Sequence, residues 1–414
     1  MNAKAGVVAV LAGVLAAGTA VAQDNSTWPR FPGSAYAAQT DPSDKAFIKE
    51  WEATPPKGFP TLGPANLAAM KAAIKRYGEI VAAGGWQPLP EVQLQMGLNH
   101  PAVALLRQRL LLSGDLREEG GSTSFDFYVD KAVKRYQASN GLAPTGIVDK
   151  RTIVALNVPA DSRLKQLKTN LARLTEFGKP AGKYVMVNVP AAQIEAVEGN
   201  RVVSRHSGVV GKPDRPTPML KSAIHELNFN AVWHLPPTVI EKDLVPKGRD
   251  MARGGQSVLV KYNIDAYGGD GKKLDPSKVN WSSPTTKNIT YKQQPGPDNP
   301  LGFVKINFNN SHSVYMHDTP SQSLFGRNFR AASSGCVRVQ GIENLAAWLL
   351  AEQGWKPEHM LQIKQSGERR DVTLKKPVPL YFVYITAWAT EDGVVQFRRD
   401  LYQKDGIGPT AAAY

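Results

Sequence analysis

Cysteine is almost absent from this chain, because Cys336 is the only one among 414 residues. A single thiol cannot form an internal disulfide, and it makes a poor metal site without partners. The apolar run from Ala5 to Ala17 is shorter than the roughly 20 residues that a membrane span requires. These features argue against a disulfide scaffold and against a membrane span at that run. The sequence also shows no clear repeat and no low-complexity stretch.

The first 22 residues have the pattern of a secretory signal peptide. Lys4 gives a positive start, the apolar run follows, and Ala20-Val21-Ala22 forms a small-residue cleavage site. The pattern predicts export to a bacterial periplasm and no stable membrane span after signal removal. An unpaired cysteine is unusual in an oxidising compartment and indicates a reactive thiol.

The formal net charge is +14, which suggests a polyanionic partner. Export argues against nucleic acid, whereas cell-wall glycan strands with acidic peptide stems fit the compartment. A solvated basic surface without a partner is the alternative. The sequence leaves the oligomeric state open.

The residues around Cys336 favour a nucleophile over a small buried apolar residue, which is the alternative. Ser333, Ser334 and Gly335 precede the thiol and leave room for a substrate carbonyl. Glycine lets backbone N–H groups approach, and Arg338 favours the thiolate form. His317, nineteen positions earlier, is a candidate for the base that a cysteine nucleophile needs.

His317, a spacer and Ser334-Gly335-Cys336-x-Arg338 together resemble the signature of the L,D-transpeptidases, the YkuD-type enzymes that cross-link peptidoglycan. The usual pattern has histidine where this chain has Ser334, and a larger subgroup with a wall-binding domain shares the serine. The resemblance implies an α+β multidomain protein. Its mostly β, YkuD-type sandwich is expected to follow a small helical peptidoglycan-binding domain, and no cofactor is expected.

The spacing of apolar residues changes along the chain from a helical to a strand-like pattern, and these changes indicate its divisions. A helical period over 64–83 ends at Gly84-Gly85, and strand-like runs begin at Lys183. The expected plan is a signal peptide at 1–22, a lead-in and helical scaffold at 23–98, a peptidoglycan-binding-like helical domain at 99–160, a linking helix at 161–182, a catalytic domain at 183–366, and a C-terminal hairpin and tail at 367–414. A stretch rich in Gly, Pro and Lys at about 250–300 is expected, by the same resemblance, to form a lid.

The segment 99–157 predicts helices at Pro101–Leu112, about Asp130–Asn140 and Lys150–Leu156. Its Gln137-x-x-x-Gly141-Leu142 and Gly146-x-x-Asp149 patterns resemble those of the peptidoglycan-binding domain. These positions are typical of turns and core, so they identify a fold better than a binding site. Wall binding is what the resemblance implies, and a purely structural role is the alternative.

Two adjacent strands are predicted at Phe303–Phe308 and Ser313–His317. Alternation along the second puts His312 and His317 on opposite faces. Because a zinc site needs about three converging ligands, we expect no metal site.

The resemblance assigns roles to the motif residues. Cys336 is the nucleophile and His317 the general base and acid. His317 is oriented by the backbone carbonyl of Asp318 or by its carboxylate. Backbone N–H groups around Gly335 and Cys336 form the oxyanion hole. The residues expected to line the pocket or bind substrate are Tyr315, Trp233, Arg338, Ser333 and Ser334, with a core role as the alternative for Trp233.

The expected protein is a periplasmic, cell-wall-associated L,D-transpeptidase, a transferase of peptidoglycan biosynthesis that affects cell shape and is a carbapenem target. It would join stem peptides through a cysteine acyl-enzyme, by default in a 3-3 link between diaminopimelate residues. A 1-3 link from L-Ala to diaminopimelate stays open. The alternatives are an L,D-carboxypeptidase or endopeptidase on the same stems, and a non-catalytic wall-binding protein.

Overall fold

The computed structural model describes residues 59–117, 122–178 and 180–406. The predicted signal peptide, at 1–22, and residues 23–58 of the predicted lead-in and helical scaffold lie outside these residues. The helices are α1 (Asn66–Ala82), α2 (Pro101–Ser113), α3 (Phe127–Ser139), α4 (Lys150–Leu156), α5 (Ala160–Phe177), α6 (Pro237–Val239), α7 (Val245–Arg253), α8 (Val258–Lys261), α9 (Ile342–Leu350) and α10 (Pro357–Ser366). The strands are β1 (Tyr184–Asn188), β2 (Gln193–Glu198), β3 (Arg201–Gly211), β4 (Leu220–Phe229), β5 (Trp233–His234), β6 (Ile264–Tyr267), β7 (Thr290–Gln293), β8 (Val304–Phe308), β9 (Met316–His317), β10 (Ala331–Ser333), β11 (Val337–Val339), β12 (Arg370–Val383), β13 (Ala387–Ala389) and β14 (Val395–Phe397).

Helices α2, α3 and α4 form a small unit with its own apolar core. Helix α3 begins at Phe127, earlier than the predicted start near Asp130. The reason is that the Asp126 carboxylate accepts hydrogen bonds from the N–H groups of Tyr128 and Val129 and so caps the helix. Asp130 instead lies inside the helix and is buried.

The motif residues of this helical unit hold its turns together. The Gln137 side chain donates to the Ile147 carbonyl at 2.8 Å and accepts from the Gly146 N–H at 2.9 Å. Asn157 exchanges two hydrogen bonds with the backbone of Leu89, at 2.7 and 2.8 Å. These residues therefore specify the fold of the helical unit.

A nine-stranded sheet forms the centre of the described chain, in the order β10-β3-β11-β9-β8-β4-β12-β1-β2. Strand β3 pairs with β2 along its first half and with β11 and β10 along its second, so the sheet closes on itself. The β2–β3 hairpin turns at Gly199 and Asn200, which have φ of 58° and 63°. Such a two-residue turn requires positive φ at both positions.

Strand β9 is shorter than predicted, because only Met316 and His317 belong to it. The prediction of a strand over Ser313–His317 is therefore wrong for its first three residues. Ser313 has a φ of 55°, and the Asn310 side chain ties the loop by bonding both the N–H and the carbonyl of Val314. A side chain that bonds local backbone groups competes with strand pairing in this way.

The sheet is buried on both faces. Along β1, Val185 and Val187 join a core that includes α9 and α10, whereas Tyr184 and Met186 join a core that includes α1, α5 and the β13–β14 hairpin. The predicted linking helix is thus present as α5, packed on the sheet through this second core.

The segment between β4 and β8 carries a third layer. It forms a three-stranded sheet, β5-β7-β6, over an apolar core of its own. Trp281 stacks on Tyr291 at 6.0 Å and closely approaches Gly248, where a Cβ atom would lie 2.2 Å from the indole. The stretch predicted as a lid is therefore a folded subdomain.

The predicted C-terminal boundary at 366 is too early. Strand β12 follows it and pairs with both β4 and β1, so the central sheet extends to Val383. The hairpin itself comprises only β13 and β14. The predicted hairpin and tail at 367–414 therefore included all of β12. An apolar run in sequence does not distinguish a strand of the central sheet from a strand of a hairpin.

Among the described residues, no helix combines the length and apolarity needed to cross a membrane.

Candidate active site

Parallel pairing of β9 and β11 brings the two predicted catalytic residues to neighbouring strands. Val337 lies opposite Met316 and Arg338 opposite His317. The Val337 N–H donates to the Tyr315 carbonyl at 3.1 Å, which fixes this register next to Cys336. Residues nineteen positions apart in sequence therefore meet at one place in the sheet.

Cys336 as a residue is partly buried, and Tyr315 lies beside its sulfur. Both the backbone N–H and the hydroxyl of Tyr315 bond the sulfur, and both lower the thiol pKa. Arg338 and Lys305 lower it further, but burial is the largest effect and leaves the thiol pKa above its usual value. The resting sulfur is therefore a neutral thiol surrounded by groups that stabilise a thiolate.

Tyr315 is itself held in place. The Trp233 indole N–H donates to its hydroxyl at 2.7 Å, and Lys305 Nζ lies 4.7 Å from its ring centroid. Burial raises the pKa of Tyr315 well above its usual value, so the hydroxyl keeps its proton. A protonated hydroxyl that accepts from Trp233 can donate to the sulfur.

His317 is buried, and its Nδ1 lies 2.5 Å from the carbonyl oxygen of Asp318. Nδ1 must carry the proton to donate to that carbonyl, so Nε2 is left as the basic atom. Burial and then the Arg338 charge lower the pKa of His317 to about 3. The imidazole is consequently neutral near pH 7 and available as a base.

The Asp318 carboxylate is used elsewhere. Its Oδ2 accepts a hydrogen bond from the Phe303 N–H at 2.9 Å, and its side chain fills space beside Gly302, where a Cβ atom would lie 2.5 Å from Oδ2. Of the two predicted orienting groups, the backbone carbonyl is the one that contacts the His317 ring.

Within the described residues, the thiol and the imidazole form no direct hydrogen bond. Tyr315 lies beside both, because its side chain bonds Cys336 and its ring centroid is 5.6 Å from that of His317 in an edge-on arrangement. Catalytic hydrogen bonds are often long before substrate binds, so this geometry is compatible with a cysteine–histidine pair.

The loop that carries Cys336 is supported from within. Gly335 has a φ of 114°, a conformation that strongly favours glycine. The Gly335 N–H donates to the Ser333 hydroxyl at 3.2 Å, and that hydroxyl donates to the Cys336 carbonyl at 2.5 Å. Ser333 is buried, so its hydroxyl supports the loop from inside. The Gly335 N–H, which was expected to belong to the oxyanion hole, donates to this hydroxyl instead.

Residues distant in sequence hold the same loop from outside. Thr217 Oγ1 donates to the Gly335 carbonyl and accepts from the Gly211 N–H, both at 2.8 Å. Arg215 donates to the exposed Ser334 hydroxyl at 2.8 Å and pairs with Asp243 at 3.0 Å. The thiol therefore sits on a rigid loop.

Arg338 carries a positive charge with no carboxylate partner in the described part of the chain. Its Nη1 lies 3.5 Å from the Thr319 hydroxyl, and its buried Nε has no hydrogen-bond partner. Burial lowers the pKa of Arg338 to about 10, which still leaves it charged near pH 7. An acidic group arriving beside the thiol would meet this guanidinium.

Clusters of three or more His, Cys, Asp or Glu side chains suited to a metal ion do not occur among the described residues.

Two known families match parts of this chain. Residues 182–378 match the model of the L,D-transpeptidase catalytic domain, YkuD. Residues 182–378 are thus similar to the YkuD L,D-transpeptidase family. Residues 99–156 match the family described as "Putative peptidoglycan binding domain". The fold is therefore a helical peptidoglycan-binding domain followed by a mostly β L,D-transpeptidase catalytic domain, as the motifs predicted.

A curated relative from Haemophilus influenzae, named "Putative L,D-transpeptidase", is 29% identical over 221 residues, which are 53% of this chain and 44% of the relative. This chain therefore spans less than half the length of that relative. An L,D-transpeptidase structure from Xylanimonas cellulosilytica shares 16% identity, covering 72% of this chain and 99% of its own, with a TM-score of 0.23. One from Stackebrandtia nassauensis shares 14% identity, covering 70% and 94%, with a TM-score of 0.28.

The L,D-transpeptidase domain brings most of the predicted site residues together. Trp233 is buried in the core of the subdomain, and its indole N–H also donates to the Tyr315 hydroxyl. Trp233 is therefore both a core residue and a neighbour of the candidate site. The sequence motif did not identify Thr217, Arg215, Asp243 or Lys305. Thr217 lies 118 positions from Gly335, and no local pattern links them.

Proposed function

We propose that this protein is a periplasmic L,D-transpeptidase that cross-links peptidoglycan stem peptides through a thioester on Cys336. The observation that carries the proposal is the arrangement around one thiol. The sulfur receives hydrogen bonds from Tyr315, two cations lie near it, and a neutral imidazole with a basic Nε2 lies on the adjacent strand.

The proposed reaction begins with transfer of the thiol proton towards His317 Nε2. Since the thiol and imidazole are not in direct contact, this transfer requires a bridging water molecule or a side-chain rotation when substrate binds. The sulfur then attacks a stem carbonyl that follows an L-centre, forming the S–C bond of a thioester. The C–N bond breaks, and the departing D-amino acid takes the proton from the imidazolium.

The second half of the proposed reaction reverses the first. The side-chain amine of a second stem attacks the thioester, His317 accepts its proton, and the thiol is restored as the new amide forms. A donor carbonyl on diaminopimelate gives a 3-3 link and a donor carbonyl on L-Ala gives a 1-3 link. We propose the 3-3 link as the default. Water as acceptor would make the same site a carboxypeptidase or an endopeptidase.

Positive charge around the thiol suits an acidic stem. The charges of Arg338 and Lys305 both act on the Cys336 thiol. The pKa of Lys212 is lowered mainly by burial and then by the nearby charges of Arg215 and Arg338, so Lys212 adds to this positive region. We propose that Arg338 binds a stem carboxylate, and that the subdomain between β4 and β8, which supplies Trp233, covers the bound stem.

Incubation of the full-length protein with purified tetrapeptide muropeptides tests the proposal. Mass spectrometry of the products should show cross-linked dimers with wild-type protein and unchanged monomers with Cys336→Ala. Fragmentation of the dimers gives the link position. Trimmed monomers alone would show a hydrolase, and equal products from both proteins would overturn the role of Cys336.

A further inference from the structure

A cavity of about 1680 Å³ lies between the helical domain and the central sheet, away from the residues that contact the thiol. Single ligand pockets in proteins measure about 300–1,000 Å³, so this space is large enough for a segment of a polymer. We call it the basic groove. Its cationic walls include Arg109, Lys131 and Arg135 from the helical domain, Arg205 and Arg330 near the sheet, and Arg398 from the hairpin.

Charge in the basic groove is strongly one-sided. Among the described residues, ten arginines or lysines line it, against the three carboxylates of Asp115, Glu195 and Asp392. Glu195 is buried and paired with Arg205 at 3.2 Å, and Asp392 accepts from the Thr390 hydroxyl at 2.6 Å. The remaining excess of positive charge attracts an anion.

One arginine of the groove wall has a nitrogen atom, Nη1, without an acceptor among the described residues. Arg109 is 2% exposed, its Nε donates to the Leu156 carbonyl at 3.1 Å, and its guanidinium lies 3.6 Å from the Trp86 ring centroid. Its Nη1 is buried and has no hydrogen-bond partner within the described structure. A buried N–H without an acceptor is costly and rare in folded proteins.

The groove is preformed, because both of its sides are fixed to one another. Arg398 Nη1 donates to the Ser139 carbonyl at 2.9 Å, and Arg163 donates to the Asn140 side chain at 3.1 Å. The Arg398 side chain also packs on Gly141, where a Cβ atom would lie 2.8 Å from it. These contacts join the helical domain to the hairpin and to α5.

The groove leads towards the thiol. Val210 and Ala331 line it and pair with each other across β3 and β10. The next pair along the same strands is Gly211 and Ser333, whose backbone and side chain support the Cys336 loop. One to two strand residues correspond to roughly 3–7 Å, so the end of the groove lies close to the residues that support the Cys336 loop.

We propose that the basic groove binds a glycan strand through the carboxylates of its peptide stems and delivers a neighbouring stem to Cys336. This inference rests on the proposed function, since that function names the polymer. Arginine recognises carboxylates by paired hydrogen bonds, and the chain places several arginines along the groove. The helical domain thus contributes one wall of a binding site shared with the catalytic domain.

The test uses full-length Cys336→Ala, so that binding is measured without turnover. The probe is soluble uncross-linked glycan strands that carry tetrapeptide stems, measured by fluorescence anisotropy at several salt concentrations. Lys131→Glu with Arg135→Glu reverses two exposed charges on α3 inside the groove. Lys71→Glu with Lys75→Glu is the matched control, because it reverses an exposed pair of the same spacing on α1 outside the groove.

We expect the groove variant to weaken strand binding about tenfold or more, and the control to change it less than about twofold. Strands stripped of their stems should bind about tenfold more weakly, and added salt should weaken binding by the intact strands. Thermal melting confirms that each variant folds, and Arg117→Glu, at another exposed groove residue, replaces the pair if it does not.

The inference would be overturned by unchanged binding of the groove variant, by equal losses in the groove and control variants, or by equal binding of stem-free glycan. A single-stranded oligonucleotide of the same charge is a further probe. If it bound as tightly as the glycan strands, the groove would be a surface that binds any polyanion, and the inference would also be overturned. Failure of the transpeptidase proposal is distinguishable, because it would appear as absent muropeptide products while strand binding remained sensitive to the groove charges.

Discussion

The Trp233 indole N–H donates to the Tyr315 hydroxyl at 2.7 Å, and the same hydroxyl bonds the Cys336 thiol. This chain of hydrogen bonds joins the subdomain between β4 and β8 to the sulfur. Tyr315 also packs against both the sheet core and the subdomain core. The environment of the thiol therefore depends on how the subdomain packs on the sheet.

Tyr315→Phe should slow acylation of Cys336. The change removes a hydroxyl that stabilises the thiolate, and a hydrogen bond to a charged group contributes about 1.5–3 kcal/mol, which corresponds to roughly a 10- to 100-fold slower rate. Acylation can be followed by stopped-flow absorbance with a chromogenic β-lactam. Tyr381→Phe is the control, since the Tyr381 hydroxyl has no hydrogen bond among the described residues. Equal rates for Tyr315→Phe and wild type would contradict this role.

Asp318→Asn should leave acylation within about threefold of wild type, because the backbone carbonyl that contacts His317 is retained. The asparagine oxygen can still accept from the Phe303 N–H. His317→Gln should lose acylation by about 100-fold or more, since general-base catalysis typically contributes 10²–10⁴-fold. If the acylation rate of Asp318→Asn fell as far as that of His317→Gln, while its melting temperature stayed normal, the Asp318 carboxylate would be the group that orients His317.

The acylation rate should change little between pH 7 and pH 5. The pKa of His317 is lowered to about 3 and the thiol pKa is raised, so both groups stay neutral across this range. A histidine with its usual pKa near 6.5 would lose roughly 20-fold of its basic form over the same interval. The measurement is kcat/KM at constant ionic strength. A tenfold fall per pH unit would instead indicate a preformed thiolate as the reacting species.

Thr217→Val should destabilise the Cys336 loop. The change keeps the shape but leaves the Gly335 carbonyl and the Gly211 N–H without their partner. A buried unpaired group costs about 1–3 kcal/mol, so we expect unfolding to be easier by about 2 kcal/mol or more. Denaturant melts measure this loss, and Thr169→Val on α5 is the control. A loss no larger than that of the control would show that the loop does not need Thr217.

Much of the catalytic fold was predictable because strand signals are local. The runs that became β1, β2 and β3 alternate or are continuously apolar, and Gly199-Asn200 marks their hairpin. The boundary error at β12 has a physical cause. Its partners β4 and β1 lie far away in sequence, so its place in the sheet is decided by tertiary pairing.

The candidate site was predictable to the extent that one motif contains it. Cys336, His317 and Arg338 lie within 22 residues, and the sheet register places them on adjacent strands. The supports of the loop were not predictable, because Arg215 and Thr217 reach it across more than a hundred residues. The cap of α3 at Asp126 was also missed. Asp130 is an equally good capping residue by type, but it is buried beside Gly146.

The most direct test of the account is the mass of the protein after reaction with a carbapenem. Attack of the Cys336 sulfur on the β-lactam carbonyl opens the ring without a leaving group, so the intact mass should rise by the full mass of the drug. Peptide mapping should place that mass on the fragment that contains Cys336, and Cys336→Ala should stay unmodified. An unmodified wild-type protein after prolonged exposure, or an adduct on another residue, would contradict the account.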